Sequence, residues 1–119
     1  MKEACVIIPK TNNDGQCLEW LRDKTVKHFC QYFGGATVIE TQGYWLNDSG
    51  ELFADAGWQI VTACKDDRRA RWHIRYVARD VLIAGKQQAV YMRYASGEVE
   101  FMELRYAESV GHVEPSESE

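Results

Sequence analysis

The spacing of the apolar residues changes from helical to strand-like at Gly34-Gly35, and that change restricts what this chain can become. Before it, Leu18, Leu21, Thr25, Phe29 and Phe33 recur every three or four residues, with Glu19, Arg22, Asp23, Lys24 and Lys27 filling the opposite side. This is the pattern of an amphipathic helix about four or five turns long. After the diglycine the period falls to two, through Thr37-Val38-Ile39-Glu40-Thr41 and on to Tyr44-Trp45. A phosphate cradle needs glycines that lead into a helix N-terminus, where free N–H groups face the anion. Here they follow a helix and precede a strand, so Gly34-Gly35 reads as a helix C-cap and a tight turn.

The remaining segments fit around this junction. Cys5 to Pro9 is a short β-rich run closed by Thr11-Asn12-Asn13-Asp14-Gly15. A strand from Trp58 to Cys64 pairs with the one that starts at Ala36, across a rather long tip that contains Asn47-Asp48-Ser49-Gly50. A second helix starts near Asp66-Asp67 and runs through Ile74, Val77, Val81 and Ala84 to Gly85. Ala89 to Tyr94 and Val99 to Leu104 form a last hairpin around Ala95-Ser96-Gly97. The order β-α-β-β-α-β, with an added C-terminal hairpin strand, predicts a ferredoxin-like α+β fold in which both helices cover one face of an antiparallel sheet.

The chain has 119 residues, 45% of them hydrophobic, enough for one core, and a single domain is expected over residues 1 to 107. The net charge of −4 comes from the acidic segment 108 to 119, expected to be flexible, which carries Glu108, Glu114, Glu117 and Glu119 and no Lys or Arg. No apolar run reaches the roughly 18 residues that a membrane span requires, and the start of the chain does not resemble a signal peptide. A cytoplasmic location in a bacterial host cell is expected. Cys5, Cys17, Cys30 and Cys64 lie far apart without a CxxC pair and read as reduced, mostly buried thiols.

Few constellations carry chemistry. His28 and Cys30 are two positions apart on the first helix and point in different directions, His73 is on the second, and zinc needs about four convergent ligands. They read as scattered structural cysteines and surface histidines, so no metal, cofactor or catalytic residue is assigned. Glu98 and Glu100 alternate with Val99 and Phe101 on what reads as a solvated strand face. Arg68, Arg71, Arg75 and Arg79 are spaced by three, four and four, so they share one stripe of the second helix and could grip phosphates or an acidic surface. Tyr44 and Trp45 in the long hairpin offer a second contact, because aromatics and arginine dominate interface energetics.

The run Phe33-Gly34-Gly35-Ala36-Thr37-Val38, with Gly43-Tyr44-Trp45, Asp48-Ser49-Gly50 and Glu98-Val99-Glu100-Phe101, resembles small uncharacterised proteins carried by bacteriophages and other mobile elements. The resemblance implies a compact accessory protein, comparable in lifestyle to anti-CRISPR inhibitors, and brings no catalytic residues with it.

The leading expectation is therefore a non-enzymatic protein that inhibits or modulates a host defence complex by binding a host protein or ribonucleoprotein. Arg68, Arg71, Arg75, Arg79, Tyr44 and Trp45 would be its contact residues. The second is a small-molecule-binding protein or small enzyme of the dimeric ferredoxin-like barrel type, with a pocket between sheet and helices near His73 or Cys64. The third is nucleic-acid binding through the arginine stripe, disfavoured by a pI near 5.4. Homodimerisation through the open sheet stays an option.

Overall fold

The computed structural model describes residues 1 to 103; the acidic segment lies outside them. The elements are β1 (Lys2–Pro9), α1 (Glu19–Phe33), β2 (Thr37–Leu46), β3 (Leu52–Cys64), α2 (Arg68–Ala84), β4 (Ala89–Arg93) and β5 (Val99–Glu103). The sheet runs in the order β2-β3-β1-β4-β5, and every neighbouring pair is antiparallel. Each helix is the crossover of a split βαβ unit and both pack on the same side, which is the α+β, ferredoxin-like arrangement with β5 added at the edge.

Strand alternation separates the two faces. Ala4, Val6 and Ile8 of β1, Ile60 of β3, Val90 and Met92 of β4 and Met102 of β5 point at the helices. There they meet Leu21 and Phe29 of α1 and Ile74, Val77 and Val81 of α2, all buried. The helix stripes expected from the sequence are thus the stripes that face the sheet.

Helix ends follow local chemistry. Gly34 has φ 93°, a left-handed conformation that costs other residues a steric clash, and its N–H donates to the Cys30 carbonyl. Asp67 caps α2 by accepting from the Ala70 N–H at 2.8 Å.

Two expectations change. The β2–β3 hairpin has a shorter tip than expected, because pairing continues to Leu46 and Leu52 and Asn47 closes the turn with hydrogen bonds from Ser49 and Glu51. His73 is not a surface group, and His28 is only partly exposed. His73 is 1% exposed, and His28 Nε2 lies 2.9 Å from His73 Nδ1 where α1 meets α2, amid Tyr32, Trp72 and Tyr76. Of the thiols, Cys5 and Cys64 are buried, whereas Cys17 and Cys30 are exposed. No helix among the described residues is long and apolar enough to cross a membrane.

Candidate active site

Among the described residues, none forms a layer over the sheet face away from the helices. A groove of about 570 Å³ crosses this face where the β2–β3 arm leaves the body of the sheet. Register explains its shape. Thr41 pairs with Gly57 and Gly43 with Asp55, so two glycines, one on each strand, share the open face and leave a trough in its floor. At Gly57 the backbones themselves require glycine, since a Cβ would lie 2.8 Å from the Ile8 carbonyl oxygen. At Gly43 nothing stands closer than the Asp55 carbonyl oxygen at 3.8 Å.

Aromatic rings form the walls. Trp45 rises from the arm, stacked on Phe53 with centroids 4.5 Å apart, and on the other side Tyr91 meets Phe101 edge-to-face at 5.5 Å. Ile7 and Pro9 of β1 line the middle. Trp45 is half exposed and Phe101 is 59% exposed, so rings that a core would bury stand open here.

Among the described residues, one charged side chain lines the groove. Asp55 accepts a 2.9 Å hydrogen bond from the Trp45 indole N–H, which fixes the carboxylate beside the ring. No Lys, Arg or His is among the lining residues. Arg93, which shares this face, pairs in register with Cys5 and Val99 and stands outside the groove. The groove therefore combines π faces with negative charge, a surrounding that favours a cation over an anion.

A solved phage enzyme has this fold. The phage SAM lyase in complex with S-methyl-5'-thioadenosine is similar over 85% of this chain and 88% of its own, with a TM-score of 0.63 at 16% identity. The phage SAM lyase in the apo state gives a TM-score of 0.62 at 12% identity, over 85% of this chain and 87% of that one. No protein-family model matches the chain, and no curated protein matches it in sequence.

These findings correct the leading functional expectation. The fold neighbours are an enzyme, so the non-enzymatic inhibitor of a host complex gives way to the small-enzyme alternative. Their phage origin agrees with the mobile-element resemblance, and nothing among them supports an anti-CRISPR assignment. The place of the pocket changes too. The groove lies on the open face, and neither His73 nor Cys64 lines it.

Of the six residues singled out in the sequence, Tyr44 and Trp45 line the groove and the four arginines do not. α2 holds Arg68, Arg71, Arg75 and Arg79 on the far side of the sheet. Arg71 donates to Asp66, Glu98 and Ser96 and lies over the Tyr94 ring at 4.4 Å. Arg75 donates to Glu100 at 2.6 Å and to the Tyr94 hydroxyl at 3.2 Å. Glu98 and Glu100, expected on a solvated face, are thus the partners of this stripe, and Glu100 is half-buried.

Sequence reasoning missed Asp55, Tyr91 and Phe101. The signal for Phe101 and Asp55 was period two itself, which sets both on the face opposite Met102 and Ala56. What the sequence lacked was the knowledge that this face has no cover.

Proposed function

We propose that this chain is a small phage-type enzyme that binds S-adenosylmethionine in the open-face groove and breaks a sulfonium carbon–sulfur bond, releasing S-methyl-5'-thioadenosine. The observation that carries the reading is the lining of the groove: aromatic walls, a glycine trough and one carboxylate, on a fold shared with a phage SAM lyase.

The chemistry suits such a lining. The lining holds no His, Lys or Cys to act as a strong base or nucleophile. Lyase chemistry on a sulfonium can proceed without one, because the substrate's own carboxylate can close on the carbon that sulfur leaves. One C–O bond forms and one C–S bond breaks, the bonding pair stays on sulfur, and the products are a lactone and a neutral thioether. Positive charge disappears at sulfur as the bond breaks, so an apolar aromatic enclosure that excludes water favours the step. Trp45, Tyr91 and Phe101 supply apolar walls that a bound ligand would help close, and flat surfaces for the purine.

The test is direct. Purified protein incubated with S-adenosylmethionine should release S-methyl-5'-thioadenosine, separated by chromatography, in proportion to protein concentration and well above spontaneous breakdown. Folded protein that releases none, and that binds neither compound, overturns the proposal.

A further inference from the structure

Resting on the reading above, we infer that Asp55 is a specificity-determining residue that selects the positively charged sulfonium substrate over its neutral thioether product. The argument starts from charge. Among the described residues that line the groove Asp55 is the one acidic or basic side chain, so their electrostatic preference is for cations. S-adenosylmethionine is a net cation, because its sulfonium charge stands beside an amino-acid chain whose ammonium and carboxylate cancel; S-methyl-5'-thioadenosine lacks that chain and is neutral, while the two have the same thioadenosine part. A site of aromatic faces alone would hold the shared part of both molecules equally well.

Geometry gives the carboxylate its effect. A flexible, exposed Asp would be screened by water and contribute little. Asp55 is exposed but held in place: it sits on a strand, next to the trough opened by Gly43 and Gly57, with Oδ2 held at 2.9 Å by the Trp45 indole N–H. Trp45 is in turn braced by Phe53 at 4.5 Å with the rings 17° from parallel. A ligand lying along the trough covers the carboxylate from solvent and sets its cation between an anion and π surfaces, where both attractions strengthen.

The direction of the catalytic effect follows. An interaction with the sulfonium charge is strongest before the bond breaks and weakens as that charge is lost. Asp55 therefore tightens substrate binding without lowering the barrier from the bound state. Removing its charge should raise KM for S-adenosylmethionine by about tenfold, the size of one such contact in a partly desolvated site, and should not lower kcat.

The experiment compares wild type, Asp55→Asn and Asp55→Glu by calorimetric titration with each of the two compounds and by steady-state kinetics. Asn keeps an acceptor for the Trp45 N–H and removes the charge; Glu keeps the charge. The expected result is that Asp55→Asn weakens S-adenosylmethionine about tenfold and leaves S-methyl-5'-thioadenosine within about twofold, with the Glu variant holding more of the preference. An equal loss for both compounds would make Asp55 a support for Trp45 and overturn the inference, as would no loss for either. A kcat that collapses in Asp55→Asn would make it a proton acceptor instead. If wild type binds neither compound, it is the proposed function that fails, an outcome distinct from binding without charge preference.

Discussion

Glu100 and Phe101 are adjacent in β5 and serve opposite faces of the sheet: the Glu100 carboxylate is held by Arg75 at 2.6 Å on the helix side, and the Phe101 ring walls the groove on the other. The edge strand that completes the groove is thereby tied to α2 by a charge-assisted pair that also includes Tyr94, whose hydroxyl donates to Glu100 at 2.6 Å.

Breaking this tie should act on both faces. Arg75→Ala leaves the half-buried Glu100 with Tyr94 as its hydrogen-bond donor, and the fold should lose about 1–3 kcal/mol. Chemical denaturation measures that loss. Because Phe101 rides on the same strand, KM for S-adenosylmethionine, the proposed substrate, should rise as well, whereas Arg75→Lys should recover part of the stability.

The same network sets a pH dependence at both ends. Burial alone would raise the Glu100 carboxyl, but hydrogen bonds from Tyr94 and Arg75 and the charges of Arg75 and Arg71 outweigh it and hold Glu100 below its ordinary value of 4.5. A depressed carboxylate stabilises the fold above its unfolded value, and that stabilisation is lost as pH falls below 4.5 and through the folded value. Burial, reinforced by the Glu100 hydrogen bond and opposed by Arg75, pushes the Tyr94 phenol from 10.0 up to about 12. A raised phenol stabilises the fold fully below 10.0, and its contribution is lost as pH rises toward about 12. Thermal melts across pH should fall off at both ends, with Glu100→Gln flattening the acid side and Tyr94→Phe the alkaline side.

Gly43 and Gly57 predict opposite outcomes for similar changes. At Gly43 an added Cβ meets nothing closer than 3.8 Å and Gly43→Val puts a β-branched residue in a strand, so the fold should hold while the filled trough abolishes ligand binding. Gly57→Ala drives a Cβ against the Ile8 carbonyl oxygen and should cost about 1–3 kcal/mol of stability. Paired melting and binding measurements on the two variants distinguish a blocked site from a damaged sheet.

Asp67 reports on α2 alone. Its carboxylate satisfies the Ala70 N–H, and Asp67→Ala should lower stability by about 1 kcal/mol with no change in ligand affinity. A matching loss of affinity would mean that the groove senses the helix start directly.

Much of the fold was legible because its signals are local. Leu21, Thr25 and Phe29 mark the buried side of α1 by spacing alone, and Gly34 announces the end of that helix through the one backbone conformation that glycine adopts freely. The ends of β2 and β3 were harder, since Leu46, Leu52 and Phe53 continue the pairing in an arm that stands largely exposed. The site was least legible. Trp45 stood out as an aromatic in a hairpin, but Asp55 is an ordinary strand-edge acid until register places it beside a glycine trough and an indole. The arginine stripe drew attention through charge, and its partners Glu98 and Glu100 lie 25 or more positions further along the chain, beyond any local pattern. His28 and His73 were separated by a sheet strand pair in sequence and meet only because the two helices lie side by side.

The separation of the two strand faces bears on how such a chain can change over generations. Val6, Ile60 and Met92 answer to the helices, while Ile7, Asp55 and Tyr91, set on alternate positions of the same strands, answer to whatever lies in the groove. The two sets share a backbone, so a change of chemistry in the groove draws on one set of alternate positions while the strand that carries it stays anchored by the other. The same architecture is therefore compatible with very different sequences, as the 12–16% identity to chains of this fold illustrates.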